Sequence, residues 1–103
     1  MLKIFQNYIV FMDEQSVEAI EIKKLRFANL LLKSESLEKK MKAIAVFKEQ
    51  LDENRKIGLS KDKFARFLIE NQLAEYLLGE NFHSEIFRRS AVLFRFLIEK
   101  TTD

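Results

Sequence analysis

His83 is the only histidine of the chain, and it stands in a stretch that could support chemistry: Asn81, His83 and Glu85, followed by Arg88 and Arg89. An imidazole beside a carboxylate is a pairing that can move protons, and two guanidinium groups can hold a phosphate or an acidic partner. General acid–base catalysis needs more than this, namely a second reacting group and a pocket that excludes water. The chain offers no cysteine, no second histidine and no glycine-rich loop, since glycine occurs only at Gly58 and Gly79. Thiolate nucleophiles, disulfides and metal sites built on Cys or several His are thereby excluded. His83 is read as a turn histidine making a structural hydrogen bond. No catalytic residue, metal site or cofactor site is assigned.

The other charged groups read as solvated surface. Arg88, Arg89 and Arg95 share one side of the last helix with Glu85 and Glu99, at spacings of three and four that make ordinary ion pairs. Lys39, Lys40 and Lys42 are surrounded by Glu35, Glu38 and Glu49. Asp52 and Glu53 are adjacent, so on a helix they point in different directions and make a poor acid–base pair.

The elements that must carry these groups follow from composition. The 103 residues suit one small domain, with 48% hydrophobic and 33% charged residues, and ten phenylalanines for a core. A formal net charge of +2, with bases scattered among acids, argues against a nucleic-acid interface. The opening "MLKIFQNYIVFM" lacks a basic leader beyond Lys3 and is interrupted by Gln6, Asn7 and Tyr8, so it does not read as a signal peptide. No apolar run reaches the roughly 20 residues that span a bilayer, and the expected place is the cytoplasm or nucleus.

Proline is absent, and Leu, Lys, Glu, Ala, Phe and Ile recur with helical rhythm. The expected fold is all-α, with about five antiparallel helices packed as an armadillo- or HEAT-like superhelical stack or as a compact bundle. The first helix spans Leu2 to Met12, with Phe5, Ile9 and Met12 on one side. "DEQS" is expected to break it, with Ser16 capping a second helix from Val17 to about Lys33. That helix carries two apolar stripes, Val17–Ile20–Phe27–Leu31 and Ile22–Leu25–Leu32, which predicts neighbours on both sides.

Ser34 or Ser36 caps a third helix, Leu37 to about Arg55, whose inner face is Leu37, Met41, Ile44, Phe47 and Leu51. Lys40 and Lys48 flank that face and can snorkel along its edge. Gly58 closes this helix as a left-handed terminal residue. Ser60 caps a fourth helix with Asp62 in its first turn, and Phe64, Phe67, Leu68, Tyr76 and Leu77 facing inward. The polar Glu70–Gln72 stretch bends or splits it, and Gly79 ends it. Asn81 caps a fifth helix from Phe82 to about Lys100, with Ile86, Phe87, Leu93, Phe94 and Leu97 inward. On its opposite arc Val92 and Phe96, four apart, form an apolar spot rimmed by Arg88, Arg89 and Arg95. These five residues are the candidate protein-interaction site, with a protein partner, a following helical repeat or a second copy of the chain as the occupant.

Two segments are similar to the long helical, armadillo-like region that precedes the protease domain in large ubiquitin-specific proteases of the fat-facets type. "KLRFANLLLKSESLEKKMKAIAVFKEQL", Lys24 to Leu51, resembles a helix, a Leu-Leu-Lys-Ser turn and a helix beginning Leu-Glu-Lys. "LSKDKFARFLIENQLAEYLLGENFHSEIFRRSAVLFRFL", Leu59 to Leu97, resembles the segment that follows there, through Asn71, Gly79, Asn81, His83, Arg88, Arg89 and Ser90. Residues 1–23 lie outside the resemblance. It implies that the chain is a single helical domain from a larger deubiquitinase, a non-catalytic scaffold that recruits or positions partners. His83 would then match a scaffold histidine, and the protease's own Cys box has no counterpart here. The rival expectation is a free-standing intracellular helical adaptor unrelated to ubiquitin, and a third is a small nucleic-acid-binding bundle.

Overall fold

The computed structural model describes residues 2–55, 58–79 and 82–102, with side chains from Val17 onward. Those residues are all-α, without a strand among them: α1 (Leu2–Leu32), α2 (Leu37–Glu49), α3 (Lys61–Glu70), α4 (Leu73–Leu78), α5 (Ser84–Arg89) and α6 (Ala91–Thr101). Against the five expected helices, the "DEQS" boundary is lost, the expected split at Glu70–Gln72 separates α3 from α4, and a further boundary appears at Ser90.

The lost boundary is the "DEQS" break. Residues 13–16 continue α1 without interruption, and Ser16 lies inside the helix rather than at a cap. Polarity alone does not end a helix. Glu and Gln are good helix formers, and nothing in the stretch removes an N–H or demands a left-handed residue.

Side chains that capture backbone groups mark both the expected split at Glu70–Gln72 and the new boundary at Ser90. At the end of α3, Asn71 Nδ2 donates to the Phe67 carbonyl at 2.8 Å, and Gln72 then turns left-handed, with φ 54°. At Ser90 the hydroxyl donates to the Phe87 carbonyl at 2.9 Å, and the expected fifth helix divides into α5 and α6. The third expected helix also stops early, at Glu49. There Lys61 Nζ donates to the Gln50 carbonyl at 2.6 Å, and the Asp52 carboxylate accepts from Asn54 N–H at 2.9 Å, a local bond that competes with the helix.

The expected caps resolve individually. Ser36, rather than Ser34, caps α2 by accepting from Lys39 N–H, and Ser60 caps α3 by accepting from Lys63 N–H. Gly58 is not a left-handed cap, since no described glycine has positive φ. Gly79 does end α4, but through close approach: a Cβ there would lie 2.8 Å from the Glu75 carbonyl oxygen. Asn81 lies outside the described residues. His83 takes the capping position of α5.

The core forms where α1 and α2 pair and the later helices close over them. Leu25, Ala28 and Leu32 of α1 meet Ala43, Ile44 and Phe47 of α2, with Phe64, Leu68, Leu77 and Leu93 completing the cluster. Phe67, Tyr76, Phe94 and Leu97 are half-buried against it, as their spacing predicts, whereas Leu37 is exposed. Of the two apolar stripes on α1, the fold covers only that of Leu25 and Leu32. Val17, Ile20 and Phe27 face solvent, and Leu31 is half-buried. The expectation of neighbours on both sides of this helix therefore holds on one side only.

Candidate functional site

The cluster around His83 is a helix terminus. His83 Nδ1 accepts the N–H of Glu85 at 3.2 Å and is exposed. Glu85 in turn holds Arg88 and Arg89, with Arg89 Nε 2.8 Å from its carboxylate. The hydrogen bond from Arg89, helped by Arg88, keeps the Glu85 carboxyl below its ordinary value. The carboxylate is occupied by guanidinium groups, and the imidazole acceptor is occupied by backbone.

The five candidate interaction residues separate into two groups. Arg88 and Arg89 belong to α5 and are turned to Glu85. Val92, Arg95 and Phe96 belong to α6 and line a shallow groove of about 390 Å³ beside Leu51. Val92 is exposed, but Phe96 is not on an open arc. Its ring stacks on the fully buried Phe64, with centroids 5.5 Å apart, and it packs against the core. The break at Ser90 resets the helical phase on which the single arc of Val92, Phe96 and the three arginines depended.

Periodicity did not reveal the main polar cluster. Glu21 of α1 is buried, and its carboxylate accepts from Gln50 Nε2 at 2.9 Å and Arg55 at 2.7 Å. Burial pushes the Glu21 carboxyl up, but the Gln50 bond and the charges of Arg55 and Lys24 outweigh it and hold it below its ordinary value. Gln50 Oε1 accepts from Leu59 N–H at 3.4 Å, so the cluster fastens the connection after α2 onto α1. A second clasp lies at the far end of α1, where Lys40 Nζ donates to the Leu32 carbonyl at 2.8 Å and to Tyr76 Oη at 3.0 Å. Both are structural arrangements. The Lys40 clasp follows the expected snorkelling of Lys40 along the edge of its helix, whereas the Glu21 cluster was signalled only by a carboxylate on the same face as Leu25 and Ala28.

An open groove of about 490 Å³ runs between α1 and α3, lined by Ile22, Leu59 and Phe67 with Arg26, Lys63 and Arg66. Glu18 and Lys63 pair across it at 2.6 Å. Among the described residues no group of three or more His, Asp or Glu could hold a metal ion, and no helix is long and apolar enough to cross a membrane.

The outer face of α1 is left open. Ile20 is 50% exposed, Phe27 63% and Leu30 68%, with Val17 beside them, on the side of the helix turned away from Leu25 and Leu32. Lys23 and Lys24 are the charged residues of this face, and both are exposed. No family model, no curated protein and no solved structure matches the chain.

Proposed function

We propose that this chain is a non-catalytic, protein-binding unit of a helical scaffold, with a large deubiquitinase of the fat-facets type as its parent. The observation that supports the binding role is the double-faced α1. One apolar stripe is consumed by the core, and a second is left open on the same helix. Helical stacks are built from such helices, because each unit buries one face internally and offers another to the next unit or to a ligand. The parentage rests on the likeness of Lys24–Leu51 and Leu59–Leu97 to the region that precedes the protease domain in that family.

Two measurements test this reading. The purified chain incubated with a ubiquitin amide substrate should leave it intact, and turnover that co-purifies with the folded chain contradicts a non-catalytic role. The transcript that encodes the chain should continue into a ubiquitin-protease Cys box and His box. A stop codon directly after Asp103 instead favours the free-standing adaptor.

A further inference from the structure

The open face of α1 has a regular spacing. Val17, Ile20, Lys24 and Phe27 are separated by 3, 4 and 3 residues, the spacing of the a/d seam of a coiled coil; Leu31, the next position of that seam, is half-buried against the core. In that register Lys23 and Leu30 take the flanking g positions, and both are exposed. The other flank is closed, because the e positions are Glu21 and Ala28, both buried in this fold. The seam is therefore open on one side, apolar at both ends, and cut by lysine in its middle turn.

From Val17 onward, among the described side chains, the charges on it are of one sign. Glu21 is withdrawn into the cluster with Gln50 and Arg55, and Glu18 is tied to Lys63 towards α3. Lys24 lies 3.6 Å from Glu21, whose shorter contacts go to Arg55 and Gln50, and its side chain stays 57% exposed. Lys23 has no ion-pair partner among the described residues.

These facts select the occupant. In a second copy paired in parallel register, Lys24 would face Lys24. Paired antiparallel about the middle of the stripe, the two Lys24 side chains would lie within about one turn, roughly 6 Å along the axis. Like charges at that distance oppose self-pairing. A lipid surface asks for a continuous apolar face with lysines at its edges, whereas here a lysine occupies the seam itself. A partner helix with apolar residues about seven apart and carboxylates midway satisfies both apolar ends and both lysines. Resting on the protein-binding role proposed above, we infer that the outer face of α1 docks an acidic amphipathic helix, which seats apolar side chains against Val17–Ile20 and Phe27–Leu30 and carboxylates against Lys23 and Lys24.

The test uses the full chain and a synthetic helical peptide of about three heptads, with Leu at a and d and Glu at the positions that meet Lys23 and Lys24. Matched peptides carry Gln or Lys in place of those Glu residues. Fluorescence anisotropy should show the Glu peptide binding at least about tenfold more tightly than the Gln peptide, with affinity falling as salt rises. Phe27→Ser should abolish binding without lowering the melting temperature, and Lys24→Glu should reverse the preference towards the Lys peptide. Equal affinity for the Glu and Gln peptides, or no binding of the Glu peptide to the folded chain, overturns the inference. So does Phe27-dependent self-association, or Phe27-dependent binding to phosphatidylserine vesicles in place of the peptide. Glu-peptide binding that ignores both Phe27→Ser and Lys24→Glu overturns this face as the site while leaving the protein-binding role standing. Hydrolysis of a ubiquitin substrate would overturn the non-catalytic reading without touching the peptide result.

Discussion

At the scale of single residues, charge is held in place by partners rather than poised to react. Glu21 is the clearest case, a carboxylate whose desolvation is offset by Gln50, Arg55 and Lys24. Its folded pKa lies below the ordinary value of 4.5. The unfolded chain therefore binds the proton more readily, and stability rises with pH across that interval. The contribution of Glu21 should be complete above about pH 4.5 and should fade as pH falls through the lower folded value. Glu21→Gln is expected to lose about 2 kcal/mol at neutral pH, the scale of a hydrogen bond to a charged group. The gap between wild type and variant in urea melts should close at acid pH. A gap of the same size at pH 7 and pH 3 would show that shape rather than charge is what Glu21 supplies. His83→Ala should cost about 1 kcal/mol, the size of a lost helix cap, and His83→Ser should recover most of it.

At the scale of elements, the helix-forming tendency and several ends were legible, among them the Ser36 and Ser60 caps, the split at Glu70–Gln72 and the end at Gly79, while other ends were not. The stripe Leu25–Leu32 and the inner positions Ile44, Phe47, Phe64 and Leu68 follow from spacing alone, because burial repeats with the helical period. The split at Ser90 and the early end of α2 depend on which carbonyl a serine hydroxyl or a lysine amine reaches, and that is decided by tertiary placement. "DEQS" is the converse case, polar residues that suit an exposed helix as well as a turn. The face of α1 was legible as a stripe, but its exposure was not, since an apolar stripe signals burial whether the cover belongs to the same chain or to another. Two substitutions test the observed ends. Gln72→Gly should stabilise by about 1 kcal/mol, because a left-handed backbone costs a side-chain-bearing residue roughly that much. Gly79→Ala should destabilise by about 1–2 kcal/mol, because its Cβ would press on the Glu75 carbonyl oxygen. The opposite order in thermal melts would contradict the placement of both turns.

At the scale of the whole molecule, the fold is elongated. Its radius of gyration is 16.2 Å and its extents are 57 × 35 × 24 Å, against about 13 Å expected for a compact domain of this length. A small core beneath a long helix leaves one face of that helix far from any internal cover. The α6 side differs, since Phe96 belongs to the core through Phe64 while Val92 stands in solvent at 42% exposure. Phe96→Ser should therefore cost about 3 kcal/mol in chemical denaturation, and Val92→Ser less than about 0.5 kcal/mol. Similar losses for the two would return both to one environment. The central claim, that the outer face of α1 is where this unit meets its partner, is tested most directly by hydroxyl-radical footprinting of the chain alone and in the assembly isolated from cells. Oxidation of Ile20, Phe27 and Leu30 should fall several-fold in the assembly while Val92 and Ile69 react as before. Unchanged oxidation of Phe27 and Leu30, with protection appearing on α6 instead, would contradict it.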